Sequence, residues 1–296
     1  MPRVRANGLE LEYDSFGQGP AIVLVMGIAT QMIFWDVAFC AALAARGFRV
    51  IRFDNRDIGL STRLTDAGIP DLPRLIARAA MGLPVPAPYS LSDMAADVVG
   101  LLDALDLDRA HIVGMSMGGM IAQHVAIEAP ERVASLTSIM SSPGGRRHWI
   151  GQPRALSTLL GARPKRREEG AAFLVDVLRV LNGPGLPFPE AEIRVRAEEA
   201  VARSWHPAGF PRQLAAILAS GNRTAALARV RAPSLNIHGA ADPLIPVAAG
   251  VATARAIPNA TLRVVAGMGH SLPPAVWPEV LDAMVEHAHG AERTIR

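Results

Sequence analysis

The sequence predicts an α/β fold, a mostly parallel central sheet flanked by helices and interrupted by a helical insertion, and three observations carry that expectation. Short β-branched or apolar runs alternate with longer helical patterns, the signature of a sheet covered by helices on both faces. The runs placed to form central strands are almost continuously apolar, as strands buried on both faces require. Hydrophobic residues fill 50% of the 296 positions and charged residues 19%, enough material for one large core.

In chain order, Leu9 to Asp14 and Ala21 to Val25 read as early strands. Phe48 to Phe53, Ala110 to Val113, Val133 to Met140, Pro233 to His238 and Thr261 to Val265 read as later ones. Ser92 to Leu105 sets Met94, Val98, Leu101, Leu102 and Leu105 at helical spacing, and Ser90 with Asp93 offers a capping box ahead of it. Thr62 to Tyr89 is Pro-rich with one amphipathic piece, Leu72 to Met81. Pro143 to Arg231 has a mostly helical pattern and no convincing strand over about ninety residues. A structureless loop of that length does not suit a compact domain, so the stretch reads as a helical cap over the carboxyl edge of the sheet, where open α/β folds bind ligands. The expected division is a core of residues 1–142 and 232–296 and a cap of residues 143–231.

Composition excludes several functions. Net charge is only +3 and aromatics are 5%, so no nucleic-acid partner is expected. The one basic run, Arg163-Pro164-Lys165-Arg166-Arg167, meets Glu168-Glu169 at once and reads as a solvated helix start, with anion binding as its alternative. The single cysteine, Cys40, lies in an apolar helix-like stretch and reads as a buried, inert thiol. The first ten residues lack the apolar core of a signal peptide, and the longest apolar runs are too short to span a bilayer. A cytoplasmic protein without a membrane span is expected. His287 and His289 form the one close histidine pair and fall in a tail expected to be exposed, so no metal is expected. Oligomeric state leaves no signature.

The chemistry concentrates in Gly114-Met115-Ser116-Met117-Gly118-Gly119, which follows the strand-like Ile112-Val113 and precedes a helical run from Met120 to Ala129. That is the strand–turn–helix context of a G-x-S-x-G nucleophile elbow, in which flanking glycines let strand and helix approach closely. A serine hydroxyl needs an adjacent base, and an acid and a histidine are expected to follow the serine in that order. His270 follows the run Thr261 to Val265 through Ala266-Gly267-Met268-Gly269, at a strand's carboxyl end. Among the rest, His111 opens a strand, His124 lies on the elbow helix, and His148 and His206 fall in the cap. Asp242 leaves a strand through His238-Gly239-Ala240-Ala241, whereas the alternative acid location reads Ser141-Ser142-Pro143-Gly144 and holds no carboxylate. Expected oxyanion donors are the backbone N–H groups of Met117 and of Ile28, in the loop Met26-Gly27-Ile28. The turn Asp54 to Ser61 reads as a brace for these loops. Met26, Met32, Met115, Trp149 and Trp205 are expected to line an adaptable apolar pocket.

Val25-Met26-Gly27, Asp54 to Ser61, Gly114 to Gly119 and Gly267-Met268-Gly269-His270-Ser271-Leu272-Pro273 together resemble the bacterial α/β-hydrolases related to aclacinomycin methylesterase. The resemblance spans nearly the whole chain, least of all the cap. It implies an α/β-hydrolase fold with a helical cap and cofactor-free hydrolysis of carboxylic esters, with the family's Ser, Asp and His falling on Ser116, Asp242 and His270. Met26-Gly27 departs from the superfamily's usual His-Gly but is shared with this subgroup. The expected function is a serine carboxylic-ester hydrolase acting through an acyl-enzyme on small to medium, uncharged, fairly apolar esters. No Arg or Lys cluster adjoins the three residues in sequence, so no anionic acyl group is expected. The alternatives are a C–C bond hydrolase or a perhydrolase on the same scaffold, and more remotely a ligand-binding protein without catalysis.

Overall fold

Alternation in the sequence becomes alternation in space. A computed structural model describes residues 1–148 and 151–295. The chain runs β1 (Arg3–Ala6), β2 (Leu9–Phe16), β3 (Ala21–Val25), α1 (Val37–Ala44), β4 (Arg49–Phe53), α2 (Leu72–Ala80), α3 (Leu91–Ala104), β5 (Ala110–Met115), α4 (Met117–Glu128) and β6 (Val133–Ile139). Five helices follow: α5 (Pro153–Leu160), α6 (Gly170–Asn182), α7 (Glu190–Arg203), α8 (Gly209–Ser220) and α9 (Thr224–Leu227). The chain then returns to the sheet with β7 (Ser234–Gly239), α10 (Val247–Ala256), β8 (Thr261–Val265) and α11 (Trp277–Ile295).

The sheet order is β1-β2-β4-β3-β5-β6-β7-β8. β1 and β2 join antiparallel, and every pairing from β4 to β8 is parallel. The continuous apolar run of β3 has the expected consequence, burial at every position, and β6 is buried throughout as well although Ser135, Thr137 and Ser138 are polar. Strand order reverses at β3, which has β4 on one side and β5 on the other, so the crevice beyond the carboxyl ends of β3 and β5 is the natural ligand site.

Local signals match the structure closely at α3. Ser90 Oγ accepts from Asp93 N at 3.0 Å while Asp93 Oδ2 accepts from Ser90 N at 2.7 Å, closing the capping box. Met94, Val98, Leu101 and Leu102 are buried on one face of that helix. Cys40 is buried in α1.

Two expectations need correction. β1 was not expected, yet Asn7 and Gly8 both have positive φ and form a two-residue turn that pairs Ala6 with Leu9. Asn-Gly is the hairpin signal that identifies it. The second concerns the tail: His287 and His289 lie in α11, where His287 is half-buried while His289 is exposed, its ring 5.0 Å from that of Phe48.

Candidate active site

Ser116 sits where β5 becomes α4, with φ 56° and ψ −118°, a backbone region costly to any residue with a Cβ. The flanking glycines explain how the strain is held. A Cβ on Gly114 would strike the backbone of Gly118, and one on Gly118 would strike the backbone of Val25 in β3. Ser116 N donates to Ile139 O at 2.9 Å, and Ser116 O accepts from Ser141 Oγ at 2.8 Å, so the sheet over-determines the turn.

The other two residues arrive from β7 and β8. Asp242 Oδ1 accepts the amides of Leu244 and Ile245, both at 2.8 Å, which fixes the carboxylate and aims Oδ2 at His270. His270 N donates to Leu181 O at 2.7 Å, so the end of α6 holds the histidine loop. His270 Nδ1 lies 2.8 Å from Asp242 Oδ2, and Nε2 lies 3.0 Å from Ser116 Oγ. All three side chains are buried. Burial alone would raise the Asp242 carboxyl, but the facing charge of His270 and hydrogen bonds from His238 and His270 outweigh it, holding the group well below the usual carboxylate range. An ionised Asp242 accepts from Nδ1–H, leaving the Nε2 lone pair toward the serine hydroxyl. His238 serves the same turn: its Nε2 is 2.8 Å from Ile245 O and 3.5 Å from Asp242 Oδ2.

The loop after β3 lies directly against the elbow, since a Cβ on Gly27 would sit 3.3 Å from Ser116 Cβ. Asn55 Nδ2 donates to Met26 O at 2.9 Å, and Ala29 N donates to Gln213 Oε1 at 2.7 Å. The N–H groups of Ile28 and Met117 have no acceptor among the described residues.

Residues 54–61 brace this arrangement through buried charge. Asp54 accepts from Met32 N at 2.8 Å, Leu60 N at 3.0 Å and Arg203 Nη1 at 2.6 Å. Arg56 pairs twice with Asp97 at 2.6 Å, and Asp57 takes both Nε and Nη2 of Arg212 at 2.8 and 2.7 Å. Arg203, Arg212 and Gln213 were not singled out from sequence. Each sits on an ordinary amphipathic helix, and only the fold brings it against the loops that brace the site.

An apolar cavity of about 230 Å³ opens onto Ser116 and His270, walled on one side by helices α5 to α8. Met26, Met115 and Trp205 line it. Met32 does not: it starts the single helical turn Met32–Phe34 and is fully buried in a cluster with Ile33 and Ala200. Trp149 lies outside the described residues. The basic run does not stay wholly in solvent either. Arg166 pairs with Glu168 and Glu169 at the surface, but Arg163 turns inward and, with Arg196, lines the cavity. The cavity wall thus carries two arginines that lie far from Ser116, Asp242 and His270 in sequence. Among the described residues no group of three or more His, Cys, Asp or Glu is placed to hold a metal ion, and no helix is long and apolar enough to cross a membrane.

Comparison with known proteins agrees with this architecture. The family model of the alpha/beta hydrolase fold matches residues 20–177. The chain is 30% identical over 292 residues to rhodomycin D methylesterase of Streptomyces peucetius, covering 91% of each chain. It is also 30% identical over 270 residues to the 2-hydroxy-6-oxononadienedioate/2-hydroxy-6-oxononatrienedioate hydrolase of Burkholderia vietnamiensis, covering 88% of this chain and 85% of that one. The fold superposes on a meta-cleavage product hydrolase from Pseudomonas fluorescens with a TM-score of 0.75 at 21% identity, over 98% of both chains.

Proposed function

The chain belongs to the alpha/beta hydrolase fold family, and within it we propose a serine carboxylic-ester hydrolase acting on small to medium, fairly apolar esters. One observation carries the reading: an unbroken hydrogen-bond chain, Ser116 Oγ to His270 Nε2 and His270 Nδ1 to Asp242 Oδ2, at the mouth of an apolar cavity. Ser116 Oγ attacks the ester carbonyl as His270 takes its proton, and the carboxylate of Asp242 stabilises the imidazolium that forms. The oxyanion is met by the N–H groups of Ile28 and Met117, preset donors in a water-poor site. His270 returns the proton to the leaving alcohol oxygen, leaving an acyl-enzyme on Ser116. Water then attacks, giving its proton to His270, and the serine is restored as the acid departs. Residues 143–231 act as a cap that excludes bulk water and shapes the acyl pocket, a role supported by the cavity walls they supply.

The identity to a methylesterase over nine-tenths of the chain favours simple esters. A second reading, C–C bond hydrolysis of a diketo acid, is favoured by the equal identity to the nonadienedioate hydrolase and would use the same three residues. Nitrophenyl esters of graded acyl length, assayed beside a diketo acid, separate the two. Fluorophosphonate should label Ser116, and Ser116→Ala should abolish labelling and lower turnover by roughly 10⁶. Labelling elsewhere, or an active Ala variant, rejects the mechanism.

A further inference from the structure

Arg163 is the one cation on the cavity wall without an acidic partner among the described residues. Arg196 is paired with Asp36, His206 faces Arg212, and the wall's remaining acid, Glu192, is exposed and makes no ion pair. Arg163 Cζ lies over the ring of Phe210, 3.0 Å from its centroid, with the Phe173 centroid 5.7 Å away. Its Nη1 donates to the carbonyls of Leu159 and Gly161 at 3.2 and 3.3 Å. Nε and Nη2 have no acceptor among the described residues. Elsewhere in this molecule that same edge is the one that grips carboxylates: Arg56 uses Nε and Nη2 on Asp97, and Arg212 uses them on Asp57. Burial lowers the Arg163 pKa to about 9, and no neighbouring carboxylate acts against it.

A half-buried cation with its bidentate edge empty, its guanidinium held over aromatic rings and its Nη1 tied to backbone carbonyls, is preorganised for an anion. Helix α6 measures where that anion would sit. Phe173 stands beside Arg163, and Leu181 holds the backbone of His270. At about 1.5 Å per residue, the eight steps from Phe173 to Leu181 span about 12 Å along the helix axis. The wall between these points is apolar, with Leu174, Val177 and Leu178 facing the cavity.

We propose that Arg163 forms a carboxylate-binding subsite at the end of the cavity remote from Ser116, so that the preferred substrates are esters whose apolar chain ends in an anionic group. This deepens the serine-hydrolase reading and rests on it for the position of the scissile bond. The basic run that reads as a solvated helix start thus contributes one side chain to specificity and leaves the others at the surface.

The test uses monomethyl esters of straight-chain dicarboxylic acids of graded length, each paired with the methyl ester of the monocarboxylic acid of equal length. Binding is measured by calorimetry in the Ser116→Ala protein, so that it reads the subsite without turnover. At one intermediate length the carboxylate-ended ester should bind about tenfold or more tightly than its neutral counterpart. Adding Arg163→Met should bring that ratio to one or below, and Arg163→Lys should restore only part of it, since a point charge cannot make the bidentate pair. A charged-to-neutral ratio near one at every length in the Arg163-containing protein overturns the subsite, with no variant required. Fluorophosphonate labelling of the wild-type protein is read separately. Labelled Ser116 with a flat ratio removes the subsite and keeps the hydrolase. A strong ratio without labelling keeps the subsite and removes the serine mechanism.

Discussion

Replacing Arg212 by Met tests whether charge buried between the helical insertion and the sheet is a main source of stability. Arg212 is 1% exposed and Asp57 is 0% exposed. The substitution removes two charge-assisted hydrogen bonds to Asp57 and a third to Gly68 O at 2.9 Å. Asp57 keeps the amide of Leu64 at 2.8 Å, but its charge is left in the interior without a cation. Breaking a buried pair from one side costs about 3–5 kcal/mol. At about 2 °C per kcal/mol for a chain of this size, the melting temperature should fall by about 6–10 °C. The double variant Asp57→Asn/Arg212→Met discriminates the cause. Asp57 has φ 65°, which Asn tolerates, and the neutral amide carries no charge to strand. Calorimetry should therefore find the double variant more stable than Arg212→Met alone. If the second substitution adds to the loss, the unpaired-charge explanation is wrong.

Asp242→Asn should keep the fold but cost up to about 10⁴ in esterase turnover. Oδ1 must go on accepting the amides of Leu244 and Ile245, so the new NH₂ faces His270 Nδ1 and forces the proton onto Nε2. Because the Asp242 carboxyl is held below its ordinary value, its stabilising contribution is complete above about pH 4 and is lost as pH falls through the lower folded value. Urea unfolding across pH should accordingly show the gap between wild type and Asp242→Asn narrowing only below about pH 4. Gly114→Ala places a Cβ against the Gly118 backbone, where nothing flexible can yield, and should cost about 1–3 kcal/mol in chemical denaturation with fluorophosphonate labelling weakened. Burial pushes the Cys40 thiol up to about 12, so a disulfide reagent at pH 8 should modify it only after denaturation. Rapid labelling of the native protein would show that α1 opens.

What the sequence made legible is what short-range physics determines. Period and apolarity locate seven of the strands because strands buried on both faces, such as β3 and β5, must be mostly apolar, whatever packs on them. Gly114 and Gly118 are legible for the same reason, since the close approach of β5, α4 and β3 leaves room for no other residue. β1 was missed because four residues of alternating charge carry little apolar signal, although the Asn7-Gly8 turn was there to be read. The cavity wall was less legible. Met32 and Met26 are alike in sequence, share one loop and are both buried, and only the fold packs the first against Ile33 and Ala200 and gives the second to the cavity. Arg163 resembles Arg166 and Arg167 in every local respect. Its difference lies in Phe210, an aromatic ring one helical layer away that accepts the guanidinium face.

The same contrast separates the parts of the insertion by how they are fastened. Buried acids of the core reach into α7 and α8: Asp54 takes Arg203, Asp57 takes Arg212, and Gln213 bonds both Ala29 N and Arg56 O. Moving those helices would strand carboxylates in a region with no water to receive them, so the loops beside Ser116 and the helices above them form one cooperative unit. From Pro153 to Val177 the pattern is different. Among the described residues no side chain in that stretch hydrogen-bonds or ion-pairs with residues 1–142 or 232–296. Leu159, Arg163 and Phe173, which shape the remote end of the cavity, all belong to it. Their hold on the core is apolar contact, which tolerates changes of similar volume at modest cost. Substitution there can therefore alter what the cavity accepts while the Ser116–His270–Asp242 geometry, held by α4, the end of α6 and the Asp242 turn, stays in place.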